Sequence, residues 1–173
     1  MAIRKVLRMG DSLLLKKAQP VREFNTPALH QILDDLRDTM KAREGVGLAA
    51  PQIGESLQII IFGMQYSSRY PHAQSIPETI LINPRIEFLG NRQEKGWEGC
   101  LSLPDMRGAV SRYQHILYSG QKSNGQYFSR EVTDFHARVV QHEYDHLQGI
   151  LYPMRLDDLS QWGFSDEIME TVQ

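Results

Sequence analysis

His142-Glu143-Tyr144-Asp145-His146 places two histidines four residues apart, with a glutamate directly after the first. On an α-helix, at roughly 100° per residue, positions four apart share a face. His142 and His146 can therefore offer two imidazoles to one metal ion. Glu143 is one step round the cylinder, close to the ion but badly aimed to bind it. That is where a hydrolase places its general base. The chemistry this predicts is attack by metal-activated water on a carbonyl. Three fixed residue types at this spacing arise by chance in about a few per cent of chains of this length, so the rest of the chain must supply the remaining parts.

A catalytic site of this kind needs three protein ligands and an open position. Two candidates compete for the third. Asp166 and Glu167 lie downstream of His146, about where thermolysin-like metalloproteases place a ligating glutamate. Cys100, the single cysteine, lies upstream. A thiolate is a strong ligand for iron(II), cobalt(II) or zinc, although a lone cysteine is more often a small buried hydrophobe. Ligand chemistry alone points to zinc.

The elements that must position these residues read as an α+β chain. Thr26 caps a first, N-terminal helix that Pro27 opens, and Leu29, Ile32, Leu33, Leu36 and Met40 form its apolar stripe up to Gly45. Leu57–Phe62 reads as a buried strand, and Thr79–Asn83 and Arg85–Leu89 as two more either side of Pro84. Gly63–Pro77 between them is polar and aromatic, and reads as a surface loop. A β pattern runs from Ala109 to Val132, with a hairpin turn at Asn124-Gly125. Thr133 then caps the helix Asp134–Gln148, which carries the histidines and ends at Gly149. Its apolar residues (Ala137, Val139, Val140, Tyr144, Leu147) fall on more than one side, so it should be buried. Strands without a βαβ alternation predict mostly antiparallel sheets, wrapped around this central metal-binding helix. The tail from Tyr152 reads as one short helix interrupted by Gly163.

At 173 residues with a formal net charge of −2, the chain is expected to be one catalytic domain, 1–173, with no direct nucleic-acid or membrane partner. No apolar run approaches the roughly 20 residues that span a bilayer. The N-terminal stretch lacks the apolar core and cleavage site of a secretory signal. One cysteine permits no intrachain disulfide and fits a reducing cytoplasm.

Three blocks break the tie over the third ligand. Gly45-Val46-Gly47-Leu48-Ala49-Ala50-Pro51-Gln52, Glu98-Gly99-Cys100-Leu101-Ser102 and Gln141-His142-Glu143-Tyr144-Asp145-His146-Leu147 together resemble the peptide deformylase family, in its order and over most of the chain. The resemblance implies that Cys100, His142 and His146 bind the metal and that Glu143 is the general acid/base. Gln52 and the backbone N–H of Leu101 would hold the oxyanion. The implied reaction removes the N-formyl group from the first methionine of new polypeptides, releasing formate. Iron(II) is then the expected native ion, with zinc, nickel or cobalt able to take the site. N-formylmethionyl peptides would lie along Gly45 and Gly47, where a missing Cβ permits close approach. Val139 would wall the methionine pocket, and Arg107 would meet the peptide backbone. Glu98 and Arg112 match the family's polar support of the ligands. His30, His72, His115 and His136 match no motif. A cytoplasmic, bacterial location follows from the same resemblance.

Compact bacterial deformylases often carry a basic C-terminal helix thought to dock on the ribosome. Here residues 155–173 are acidic, which argues against ribosome docking through the tail. Two rivals make distinct predictions. A thermolysin-like peptidase would use Glu167 in place of Cys100. A non-catalytic peptide-binding module would close its metal with four protein ligands, and only three convincing ones are present.

Overall fold

The computed structural model describes residues 2–65 and 73–171. The element order is α1 (Pro27–Ala42), β1 (Gly47–Ala49), β2 (Ile59–Met64), β3 (Ile76–Phe88), β4 (Gln93–Cys100), β5 (Leu103–Tyr113), β6 (His115–Gln121), β7 (Tyr127–Thr133), α2 (Asp134–Leu147), β8 (Trp162–Phe164) and α3 (Ser165–Thr171). Strands β1-β2-β3-β6-β7 form one antiparallel sheet and β4-β5-β8 another. The α+β expectation holds. Helix α2 packs on both sheets, touching β1, β2, β3, β6 and β7 of the first and β5 of the second.

The apolar run of β2 is continuous because both its faces are covered. Ile60 and Phe62 face a core shared with Ala137, Val140 and Leu147 of α2. Ile59 and Ile61 face the other way, into a core shared with Leu29, Leu33, Leu36 and Met40 of α1. Strand alternation thus lets one strand bind two helices. Helix α1 begins as expected: the Thr26 hydroxyl accepts from the Leu29 N–H at 3.2 Å, with Pro27 in the first turn.

Several expectations need correction. The two strands around Pro84 are one, β3, whose register with β6 shifts between Ile82 and Arg85. Asn83 absorbs the irregularity with a φ of 50°, and its side chain both accepts from the Val21 N–H and donates to the Val21 carbonyl, each at 2.9 Å. A proline at a bulge leaves the ladder intact on either side. Residues 66–72 of the expected Gly63–Pro77 loop, and with them His72, lie outside the described residues. Its ends, Gly63-Met64 and Ile76-Pro77, belong to β2 and β3. Thr133 occupies the position before α2 but makes no capping hydrogen bond. Its hydroxyl donates to Asp134, and Asp134, with φ 57°, is tied to Gln114 through both backbone and side chain. Gly163 does not interrupt a helix. It lies in β8, paired with Arg107 of β5.

Strand β4 was not anticipated. Gln-Glu-Lys-Gly-Trp-Glu-Gly-Cys has one apolar large residue and no alternation. Its place is fixed by eight residue pairs with β5, from Gln93↔Tyr113 to Cys100↔Leu103.

Candidate active site

Cys100 at the end of β4 meets His142 and His146 of α2, with one donor atom from each all within 4.8 Å of one another. Cys100 Sγ lies 3.3 Å from His146 Nε2. One thiolate and two imidazoles this close together are a donor set that would suit a transition-metal ion. Asp166 and Glu167 begin α3 at exposed positions and are not part of this cluster.

Hydrogen bonds orient the candidate ligands. Glu98 Oε2 lies 2.9 Å from His142 Nδ1, which leaves Nε2 of that ring for an ion. The other contacts of Glu98 are cationic: Arg112 Nε at 2.9 Å, Arg112 Nη2 at 3.0 Å and Arg138 Nη1 at 3.0 Å. Arg112 continues to Asp145 at 2.6 Å, and Asp145 accepts twice from Arg155, at 2.8 and 3.1 Å. Burial alone would raise the Glu98 carboxyl, but His142 and Arg112 outweigh it and hold it well below the usual carboxylate range. Burial would lower His142, yet Cys100 and Glu98 draw it well above the usual histidine value, the behaviour of a place that favours positive charge. Burial holds His146 well below that value, so its ring is neutral, as a ligand requires.

Glu143 is buried beside the cluster, and burial pushes its carboxyl up to about 7. A group poised there can take and return a proton at neutral pH. Its Oε2 has no hydrogen-bond partner among the described residues, so it keeps an unused acceptor inside the site. Its carboxylate fits only because residue 47 is glycine. A Cβ there would fall on Glu143 Oε1 and within 2.6 Å of its Cδ. Neither Gly45 nor Gly47 has a positive φ, Gly47 lies in β1, and the close approach at Gly47 is to the glutamate. At Gly45 a Cβ would crowd Leu101 at 3.1 Å and Met40 at 3.3 Å.

Gln52 sits in a 3-10 helix, Ala50–Ile53, directly after β1. The Ala49 N–H donates to its Oε1 at 2.8 Å, which fixes the amide orientation. The amide nitrogen therefore points at Cys100 Sγ, 3.5 Å away, and at Ser102 Oγ, 3.1 Å away. These residues open on a cleft of about 830 Å³ whose lining includes Gly45, Gly47, Leu101, Arg107 and Val139. The cleft and the donor cluster thus bring Cys100, His142, His146, Glu143, Gln52, Leu101, Gly45, Gly47, Arg107 and Val139 together and leave out Asp166 and Glu167. Ser102, Arg138 and Asp145 were missed as supports. Asp145 stands inside the metal-binding motif itself, and Arg138 is one helical turn before His142, so for both a signal was present.

Comparison with known proteins agrees with this geometry. Residues 3–162 match the family model described as polypeptide deformylase. The chain is 54% identical to peptide deformylase 2 of Ralstonia nicotianae over 95% of this chain and 93% of that one. It is 55% identical to peptide deformylase 1 of Nitrosomonas europaea over 96% of this chain and 94% of that one. Among solved structures, the class I type b peptide deformylase from Acinetobacter baumannii bound to Met-Ala-Ser superposes with a TM-score of 0.87 at 37% identity. That match covers 90% of this chain and 99% of that one.

Proposed function

The chain belongs to the polypeptide deformylase family, and from that premise we propose how its own residues divide the reaction. The activity is removal of the N-formyl group from new peptides by a metal-dependent hydrolase. Cys100, His142 and His146 hold the ion. The native ion is iron(II), with zinc, nickel or cobalt able to occupy the same donors, because one thiolate and two imidazoles suit all four. The ion, when bound, supplies the Lewis acidity that makes water a nucleophile at neutral pH.

Glu143 takes the proton of the attacking water and delivers it to the amine that leaves, which its value near 7 supports. The Gln52 amide, aimed into the site by Ala49, and the Leu101 N–H stabilise the oxyanion on the former formyl oxygen. Gly45, Gly47 and Arg107 border the peptide, and Val139 walls the pocket for the methionine side chain. Glu98 and Arg112 keep His142 in the tautomer that binds the ion. The whole chain is one catalytic domain, working in a bacterial cytoplasm, where a free thiol stays reduced. The acidic tail offers no complement to ribosomal RNA, so N-formylmethionyl peptides reach the cleft without docking through it.

The observation that carries this reading is the Glu143 oxygen, partnerless among the described residues, beside three clustered donors of which Cys100 and His142 line the cleft. The test is formate release from formyl-Met-Ala-Ser by protein loaded anaerobically with iron(II), alongside Glu143→Ala. Formate from the wild type and none from the variant is expected. Metal-loaded protein that releases no formate would overturn the assignment.

A further inference from the structure

Lys5, Arg8 and Arg43 line the same cleft as Glu143 and His142, and all three are exposed. Among the described residues none of them forms an ion pair. Their positions are fixed by backbone contacts rather than by charge partners. The Leu7 N–H donates to the Gln52 carbonyl at 2.8 Å and the Met9 N–H to the Ser102 carbonyl at 2.9 Å, which clamps the segment carrying Lys5 and Arg8 beside the oxyanion donors. Arg43 terminates α1, just before Gly45 and its contact with Leu101. The three cations therefore border one wall.

The carboxylates of the cleft do not cancel them. Glu98 is enclosed by Arg112, Arg138 and His142, and Glu143 is buried beside the metal donors. Asp105 is the one exposed carboxylate in the lining, and Asp166 and Glu167 follow Ser165 on the α3 side. A chain of net charge −2 thus presents a cationic wall at its substrate cleft.

We propose that this wall selects, among formyl-methionyl peptides, those with acidic side chains at the third and fourth residues. The inference rests on the deformylase reading. With the methionine held beside Val139, an extended peptide advances about 3.3–3.6 Å per residue. Its third and fourth residues then lie about 7 and 10 Å beyond the methionine, in the cleft that the three cations line, and exposed charges interact over roughly 8 Å at physiological salt. Each exposed pair changes affinity by at most about fivefold. Phosphates of a nucleic acid are the other anion such a wall would attract. The peptide is favoured because the cations line the cavity of the reacting groups.

The experiment compares kcat/KM for formyl-Met-Ala-Glu-Glu and formyl-Met-Ala-Lys-Lys, with formyl-Met-Ala-Ser as reference. It uses the metal-loaded wild type and the triple variant Lys5→Glu/Arg8→Glu/Arg43→Glu. The acidic-to-basic ratio within each protein is the readout, so a general loss in the variant cancels. The wild type should favour the acidic peptide by about 3- to 30-fold at low salt, through KM. The ratio should shrink at high salt and invert in the variant. Equal ratios, or a preference that survives charge reversal, would overturn the proposal. So would an RNA oligonucleotide that binds through these three residues while the peptides go undiscriminated. Turnover of no peptide at all, formyl-Met-Ala-Ser included, would overturn the deformylase reading and this inference with it.

Discussion

A methyl group on residue 47 has nowhere to go, because the Glu143 carboxylate already fills that space. Gly47→Ala must push the base away from the metal donors. The expected result is a fall in kcat of about 10²- to 10⁴-fold, the range for losing a positioned general base, with metal content unchanged. Formate release and metal analysis on the same sample check both halves, and near-normal turnover would show that Glu143 has another position to work from. His136 gives a pH prediction. Its ring packs near Phe62 and Tyr118, its Nε2 is buried without a partner among the described residues, and burial, then Arg130, lower its value to about 4 from 6.5. The folded state thus disfavours the imidazolium that the unfolded chain accepts. The stability of the neutral form is complete above pH 6.5, is lost as pH falls from there, and stops falling near pH 4. For a half-buried ring the loss is about 1–2 kcal/mol. His136→Phe should remove that part of the decline between pH 7 and pH 5 in urea unfolding. An unchanged decline would show that other groups carry it.

At the scale of elements, α2 is buried on nearly every side, and its polar positions survive because β4 and β5 bring partners to them. Arg112 of β5 joins Glu98 of β4 to Asp145 of α2. Arg112→Leu would leave two buried carboxylates short of their main cation. Breaking such a pair costs about 3–5 kcal/mol. Freeing Glu98 from its anchor should also weaken metal binding by about 10- to 100-fold through His142. Chelator competition and urea unfolding measure the two effects separately. Arg112→Lys should recover only part of either, since one ammonium cannot bridge both carboxylates in that fork. Affinity at the wild-type level in Arg112→Leu would remove Arg112 from any role in holding the ligand.

At the scale of the molecule, the metal donors come from two elements that pack on each other through β5, and the tail closes the second sheet. Removing 157–173 takes away β8 and uncovers the β5 edge, which should lower stability and solubility. It leaves Cys100, His142 and His146 in place, so one ion per chain should remain bound. Cys100→Ser, in contrast, should lose it. The reverse outcome would return Glu167 to the ligand set. Because the ion binds the folded site, saturating metal at about 100 times its Kd should add about 2.7 kcal/mol to stability. Chelation should lower the melting temperature accordingly, and a chelator-insensitive melt would contradict a site shared by β4 and α2.

The sequence by itself determined what is local. The pairing of His142 with His146 and the offset of Glu143 follow from helix geometry. The double burial of α2 followed from apolar residues on several of its sides, and the resemblance of three short blocks to the deformylase family singled out Cys100 as the candidate third ligand. Tertiary structure alone decided the rest. Strand β4 has no apolar pattern and exists through its ladder with β5, so nothing within it announced the strand that carries Glu98 and Cys100. Pro84 looked like a strand boundary because local rules do not know that Asn83 can bond to Val21, 62 residues away. The bond from Gln52 to Ser102 spans 50 positions and that from Arg138 to Glu98 spans 40, beyond any periodicity. The glycine at 47 says by its type only that a Cβ is missing, and only the fold showed that the space it leaves is taken by the Glu143 carboxylate. Local spacing fixes which groups can act together. Long-range packing fixes which buried charges are paired, and therefore how each group is aimed.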